Sequence, residues 1–344
     1  MQILIIGGTR RCGPYIVEEL LEGGHSVICY HRGQHNVSFS DRAEHLHGDR
    51  RDYAGFKKQM ADVKADVVID MIAGDEKDVQ VVVEAFGGRI QRYICISYYE
   101  VYEAFEAAWN HTPSYQPVPI PEDAPKRKQL HLFGHELRFD KILVERAALE
   151  VHEREDFPVT MLRWPALYGP RDTTPREWYY VKQALDVRRQ IAVPDGGQAL
   201  FPRGYFENMA HTVVLAVENE AASGQVYNAA DAEALSLRQI VEMIGEIMEH
   251  PWEIIPVPRK LMPSAPQAMG LPYSCDPYDI EPHMLLDLTK IKTELGYHDL
   301  VPIRKAMENT VRWLCENPPQ GDWPPIDYQA QDEAIRKYMM LTKG

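Results

Sequence analysis

The chain opens with LIIGGTRRCGPYIVEELLEGG, residues 4–24: an apolar run, two adjacent glycines, a polar turn, and a third glycine that begins an amphipathic segment. Few folds start this way. A run of Ile and Leu without polar alternation has to be buried on both faces, and a parallel sheet covered by helices provides that environment. Gly7 and Gly8 allow the backbone to turn sharply where the strand ends. The segment after Gly13 has apolar residues at Ile16, Leu20 and Leu21 and stops at Gly23-Gly24, a pair suited to a left-handed cap. This layout aims backbone N–H groups and the positive end of a helix dipole at one point, as a pyrophosphate requires. Gly7, Gly8, Thr9, Arg10, Arg11, Cys12 and Gly13 are therefore expected to cradle a dinucleotide.

Further runs repeat the pattern: ILII (3–6), SVICY (26–30), ADVVID (65–70), RYICIS (92–97) and VTMLR (159–163), with amphipathic segments such as KILVERAALEV (141–151) between them. Helical crossovers between doubly buried strands predict an α/β fold with a doubly wound parallel sheet. After residue 163, Pro and Gly punctuate short segments, which predicts a smaller domain on the carboxyl ends of the strands. GQVYNAAD (224–231) reads as one more strand returning to the sheet, followed by a helix over 236–248. The expected division is residues 1–165 plus about 205–232 for nucleotide binding, about 166–204 plus 233–316 for the substrate, and a tail over 317–344 rich in Pro and charge. Residues 103–136 form a Pro-rich polar connection of the long kind that is usually functional or mobile.

The second strand bears on the choice of dinucleotide. A carboxylate at its end would hold the ribose diol of NAD, yet the sequence there is CYHRGQHNVSFS, with His31 and Arg32 in place and no carboxylate before Asp41. Arginine pairs with a 2′-phosphate, and Arg10 or Arg11 can add a second cation, so NADP(H) is expected, with NAD(H) the alternative.

Among 344 residues the net charge is −14, which argues against capture of nucleic acid or an anionic membrane surface. No run approaches membrane-spanning length, and the start lacks the basic stretch of a signal peptide, so a cytoplasmic protein is expected. Cys12, Cys29, Cys95, Cys275 and Cys315 are widely spaced, as in a reducing compartment. His131 and His135 have i, i+4 spacing but no acidic third ligand, and no metal site is expected.

These motifs resemble the extended and atypical short-chain dehydrogenases, the NAD-dependent epimerase/dehydratase family, over nearly the whole chain. GGTRRCG is similar to the family's TGxxGxxG in a GGTR variant, also found in relatives of a chloroplast stem-loop RNA-binding protein. HGDRRD (47–52) resembles the segment whose aspartate contacts adenine, which implies Asp49 with Arg50 beside it. VVIDMIAG (67–74) resembles the strand lining the nicotinamide ribose and implies Met71, Ile72 and Ala73. LRWPALYGPRD (162–172) resembles the turn beneath the nicotinamide and implies Trp164, Pro165 and Leu167. The resemblance implies a Rossmann-type domain with a smaller C-terminal substrate domain, and it allows a homodimer through the family's two-helix pairing.

The family usually pairs a Tyr-x-x-x-Lys helix with a Ser or Thr at the preceding strand end. In ELRFDKILVERAAL, Lys141 takes the lysine position, where it would hold both ribose and phenol, but the tyrosine position is Leu137. In SYYEVYE, Tyr98 stands where the catalytic Ser or Thr would be. The expected replacements are Tyr98 or Tyr99, with Lys141 lowering the phenol pKa, Glu100 as a second acid or base, and Ser97 beside them. For a hydroxylated or keto small molecule, or a nucleotide sugar, the expected contacts are Tyr102, Tyr168, Arg171, Trp178 and Arg203. The family's diphosphate-binding asparagine is Ala166 here. The competing reading is a protein that binds NADP(H) without turnover, as a sensor or scaffold.

Overall fold

The computed structural model describes residues 1–35, 39, 41–110, 112–114, 116–135, 138–262, 283–320 and 325–342. Leu137 and Cys275 lie outside the described residues.

The apolar runs form the strands they suggest: β1 (Gln2–Ile6), β2 (Ser26–His31), then β3 (Glu44–His47), β4 (Val67–Asp70), β5 (Arg92–Tyr98) and β6 (Val159–Trp164). Beyond them come β7 (Ala166–Tyr168), β8 (Gln190–Pro194), β9 (Arg203–Tyr205), β10 (Gln225–Asn228) and β11 (Glu253–Val257). Seven strands pair in the order β10-β6-β5-β4-β1-β2-β3, all parallel. Ile3, Leu4, Ile5 and Ile6 are each fully buried, so their consecutive apolar character reflects helices on both faces. Burial of each such side chain stabilises the fold by roughly 2 kcal/mol.

Helices α1 (Gly13–Glu22), α2 (Tyr53–Met60), α3 (Glu76–Phe86), α4 (Glu103–Trp109), α5 (Lys141–Glu155), α6 (Trp178–Leu185), α7 (Phe206–Glu218) and α8 (Leu237–Ile247) complete the frame, with further helices at Thr289–Leu295, Ile303–Glu316 and Tyr328–Thr342. Ile3 and Ile5 face α1 and α7, while Leu4 and Ile6 face the side covered by α2, α3 and α5. The small sheets β8-β11 and β7-β9 belong to the part that follows β6.

Three features depart from the sequence reading. Within the 103–136 connection, α4 buries Ala104, Phe105, Ala107 and Ala108, so that stretch is partly structured. The charged tail contains the helix Tyr328–Thr342, whose Ala334 and Ile335 pack against β8 and β11 residues. α7 arises between β9 and β10, with nine buried residues closing over α1, β5 and β6.

The chain leaves β1 toward β2 on one side and finds β4 on the other. At such a switch point, the carboxyl ends of adjacent strands diverge and leave a crevice.

Candidate functional site: a dinucleotide cleft

A cleft of about 680 Å³ lies at the carboxyl ends of β1, β2 and β4. Its middle is the glycine turn. Gly7 sits at φ +93°, a conformation that L side chains rarely adopt, and its N–H donates to the Tyr30 carbonyl at 3.0 Å. A Cβ on Gly7 would fall 2.7 Å from the Ile72 side chain, across the cleft floor, and one on Gly13 would fall 2.5 Å from the Gly8 carbonyl group. Gly8 lies against Ile5 beneath the surface, while Thr9, Arg10, Arg11 and Cys12 line the opening. α1 carries Pro14 in its first turn, and no side chain caps its N-terminus. Gly13 N–H donates to the Arg10 carbonyl at 2.9 Å, Ile16 N–H to the Cys12 carbonyl at 3.1 Å, and Pro14 has none, so the first turn leaves the Tyr15 N–H for a ligand. The tight glycine cradle at the start of α1 fits a pyrophosphate.

One end of the cleft is polar. It is lined by Tyr30, His31, Arg32, Gln34, His35, Asp49, Arg50 and Arg51. Arg50, 5% exposed, is committed inward: its Nη2 donates to Asp70 at 2.6 Å and its Nε to Asp78 at 2.9 Å. Arg10, Arg32 and Arg51 are exposed and form no ion pair among the described residues. Asp49 accepts the backbone N–H of Arg51 at 2.9 Å.

The other end is apolar and aromatic, with Met71, Ile72, Tyr98, Phe139, Trp164 and Leu167, bordered by Arg138 and Thr173. Ala73 and Pro165 are buried behind this lining. Of the five expected catalytic residues, Tyr98 alone is among those that line the cleft. Burial pushes its phenol up to about 12, against the opposing influence of Arg11. Here the structure corrects the expectation that Lys141 lowers it: the ammonium lies 5.2 Å from the Tyr98 ring centroid, against the ring rather than at the hydroxyl. Lys141 is itself 1% exposed, donating to the carbonyl oxygens of Ala73 at 2.6 Å and Ile96 at 2.7 Å. Burial also lowers its pKa.

Ser97 points away from the cleft, its hydroxyl donating to Glu145 at 2.7 Å. Glu145 also receives Arg163 on both oxygens at 2.8 Å, and Lys126 at 2.8 Å. Burial alone would raise this carboxyl, but Arg163 and Lys126 hold it at about 2. Tyr99 packs edge-on against Phe105. Glu100 is buried behind the strand end; burial raises it to about 7 in spite of Lys141 and Arg127, and its Oε1 has no hydrogen-bond partner among the described residues.

The expected substrate contacts stand outside the cleft lining. Tyr102 donates to Asn228 at 2.6 Å and accepts from Arg163 at 2.7 Å. Arg203 pairs with Glu177, its guanidinium 4.2 Å over the Tyr168 ring. Arg171 lies 5.6 Å over the Trp313 ring, and Trp178 packs on the core beside α8. The His131 and His135 rings lie 4.3 Å apart, tilted by 39°, and among the described residues no group of three His, Cys, Asp or Glu is placed to hold a metal ion.

Sequence reasoning missed Tyr30, Gln34, His35, Gly48, Arg51, Gly74, Asp78, Arg138, Phe139 and Thr173 as lining residues. Phe139 was within reach, since it lies two positions before Lys141. Thr173 was not. It is brought to the cleft by a bridge in which Arg11 donates to Asp172 at 2.9 Å and Thr174 at 3.1 Å.

A sequence model of the family described as NAD(P)H-binding matches residues 7–187, more than half of the chain. Among curated relatives, the chloroplast stem-loop binding protein of 41 kDa b from Arabidopsis thaliana is 27% identical over 66% of this chain and 58% of its own. The uncharacterized protein YbjS of Escherichia coli is 29% identical over 46% of this chain and 50% of its own. The chain thus spans about half to three fifths of the length of these relatives. Among solved structures, UDP-glucose 4-epimerase from Thermotoga maritima superposes with a TM-score of 0.69 at 18% identity, covering 92% of this chain and 99% of that one. A dTDP-glucose 4,6-dehydratase from Bacillus anthracis gives 0.67 at 15% identity, covering 92% and 97%. The fold is that of these sugar-nucleotide enzymes. No described helix is long and apolar enough to cross a membrane.

Proposed function

Because the chain belongs to the NAD(P)H-binding family, we propose that it is an NADP(H)-preferring reductase of a small keto or hydroxylated compound, with Tyr98 as its proton donor. The observation that carries this reading is Tyr98 itself, a phenol on the apolar wall of the cleft whose proton is held up to about pH 12. A group so firmly protonated at neutral pH serves as an acid, not a base. It suits an oxygen that becomes anionic, as the oxygen of a carbonyl does during reduction. The nicotinamide, when bound, supplies the hydride. Tyr98 then gives its proton to the substrate oxygen, the Arg11 guanidinium tempers the charge left on the phenol, and water restores the proton. Met71, Ile72, Trp164 and Leu167 give that wall its apolar lining.

Preference for NADP(H) is supported by Arg10, Arg32 and Arg51 at the polar end, where β2 ends without a carboxylate. A substrate smaller than a nucleotide sugar is favoured because Arg171 and Arg203, the cations expected to anchor a diphosphate, are engaged with Trp313 and Glu177.

The test is loss of NADPH absorbance at 340 nm with a panel of aldehydes and ketones. Tyr98→Phe is expected to lower turnover by about 100-fold or more while leaving NADPH affinity unchanged. Unaltered turnover in that variant overturns the assignment.

One observation favours a second reading, binding without turnover: the Lys141 ammonium is held by two carbonyl groups behind the wall rather than in the cleft. Tight NADPH binding with no oxidation across the panel supports it. The relative named for stem-loop binding suggests RNA as a partner in that case, and the net charge of −14 weighs against it.

A further inference from the structure

Four histidines converge where β2 and β3 end. His31 and His47 are register partners across the two strands, their rings 4.9 Å apart, and the His31 and His45 rings are 5.0 Å apart. His31 and His35 line the polar end of the cleft; His45 lies beneath, stacked on Phe39 at 5.9 Å. The tautomer of His31 follows from its partners. The Gly33 N–H donates to its Nδ1 at 3.0 Å, so the ring proton sits on Nε2, which donates to His45 Nδ1 at 2.7 Å. That leaves the His45 proton on Nε2, a buried atom with no hydrogen-bond partner among the described residues. In this hydrogen-bond chain His31 and His45 each carry a single ring proton, beside a site rich in arginine.

We propose that this histidine cluster takes up a proton when the 2′-phosphate of NADPH binds, so that the preference for NADPH over NADH widens as pH falls through the histidine range. The inference rests on the NADP(H) reading above and adds His45 and His47 as positioning residues that act through His31. Without a ligand, burial and then the neighbouring His45, His47 and His35 keep His31 below its ordinary pKa. A dianionic phosphate reverses the balance, because it favours the charged ring. The other charged and titratable groups lining the cleft here are Tyr30, Arg10, Arg32, Asp49, Arg50, Arg51 and Asp78. Arg50 is neutralised by Asp70 and Asp78, and Asp49 is the carboxylate that a bound phosphate would oppose. A proton on the cluster offsets that repulsion.

The sign follows from linkage. Above the bound-state pKa no proton is available to the cluster, and below the free-state pKa it is already charged. Between them, NADPH affinity rises by up to about tenfold for each pH unit of acidification, while NADH affinity stays level. The phosphate itself takes a proton near pH 6, so the comparison belongs above about 6.5.

The experiment measures dissociation constants of NADPH and NADH for the full chain from pH 6.5 to 8.5 by fluorescence titration, together with calorimetry of NADPH binding in two buffers of different ionisation heat. Expected are an NADPH-to-NADH preference that grows on acidification, uptake of close to one proton near neutrality, and flattening of the pH profile in His31→Phe and His45→Phe. A preference for NADPH that does not vary with pH, with no proton uptake, overturns the histidine inference and leaves the cofactor reading standing. NADPH binding no tighter than NADH at every pH overturns both. Calorimetry on the unaltered protein decides the matter even where a variant fails to fold.

Discussion

Replacing Glu145 by Gln removes one charge from a buried carboxylate that three side chains contact. Its oxygens receive Arg163, Lys126 and Ser97, and both Glu145 and Arg163 are about 1% exposed. Held at about 2 instead of the ordinary 4.5, the carboxylate contributes roughly 3 kcal/mol to folding at neutral pH, at about 1.36 kcal/mol per tenfold change. A separate route gives a similar size: removing one partner of a buried ion pair costs about 3–5 kcal/mol, because the other charge is left uncompensated. The pH dependence is fixed by the direction of the shift. A depressed carboxyl stabilises above its unfolded value and loses that contribution as pH falls through its folded value, here between about 4.5 and 2. Urea unfolding at pH 7, 5 and 3 should therefore show Glu145→Gln less stable by about 3 kcal/mol at pH 7, with the gap closing at pH 3. A gap below about 1 kcal/mol at pH 7, or one as wide at pH 3 as at pH 7, would refute the reasoning.

Two further perturbations probe the cleft. A methyl group on Gly13 meets the Gly8 backbone at 2.5 Å, which has no side chain to yield. Gly13→Ala should thus cost about 1–3 kcal/mol of stability and weaken NADPH binding about tenfold or more; unchanged Tm and affinity would show that the turn relaxes freely. Glu100, raised to about 7 by burial, contributes in the opposite sense to Glu145. Its stabilisation is complete below its unfolded pKa and disappears as pH rises through 7. Glu100→Gln, which mimics the neutral form, should flatten the decline in Tm between about pH 4.5 and 7.5, and a decline as steep as in the unaltered protein would count against the shift.

The strands buried on both faces were the most legible part of the fold, since ILII, VVID and RYICIS need no periodicity to reveal their surroundings. β3 was not, because Glu-His-Leu-His has too little apolar character to stand out, and pairing with β2 decides it. α7 escaped for a different reason: FENMAHTVVLAVE mixes Asn208, His211 and Thr212 into an apolar run, and the change of texture after β6 obscured it. In the site, the glycine turn and Tyr98 could be read from local sequence. The position of Lys141 could also be read, but not its direction, which is set by carbonyl groups 45 and 68 positions away. Glu145 looked like one more charge on an amphipathic helix. Its role depends on Arg163 and Lys126, which only the folded chain brings to it.

Arg50 and Arg51 are adjacent in sequence yet differ in how far a change would travel. Arg50 reaches the buried end of β4 through Asp70 and the start of α3 through Asp78, so altering it disturbs the frame on which the cleft is built. Arg51, like Arg32, stands in solvent with no ion pair among the described residues. Surface exchanges of that kind usually stay within about 0.5 kcal/mol. The polar end of the cleft is consequently modular: its outer cations can be retargeted toward a phosphorylated or an unphosphorylated ribose, while the inner arginine keeps the architecture fixed.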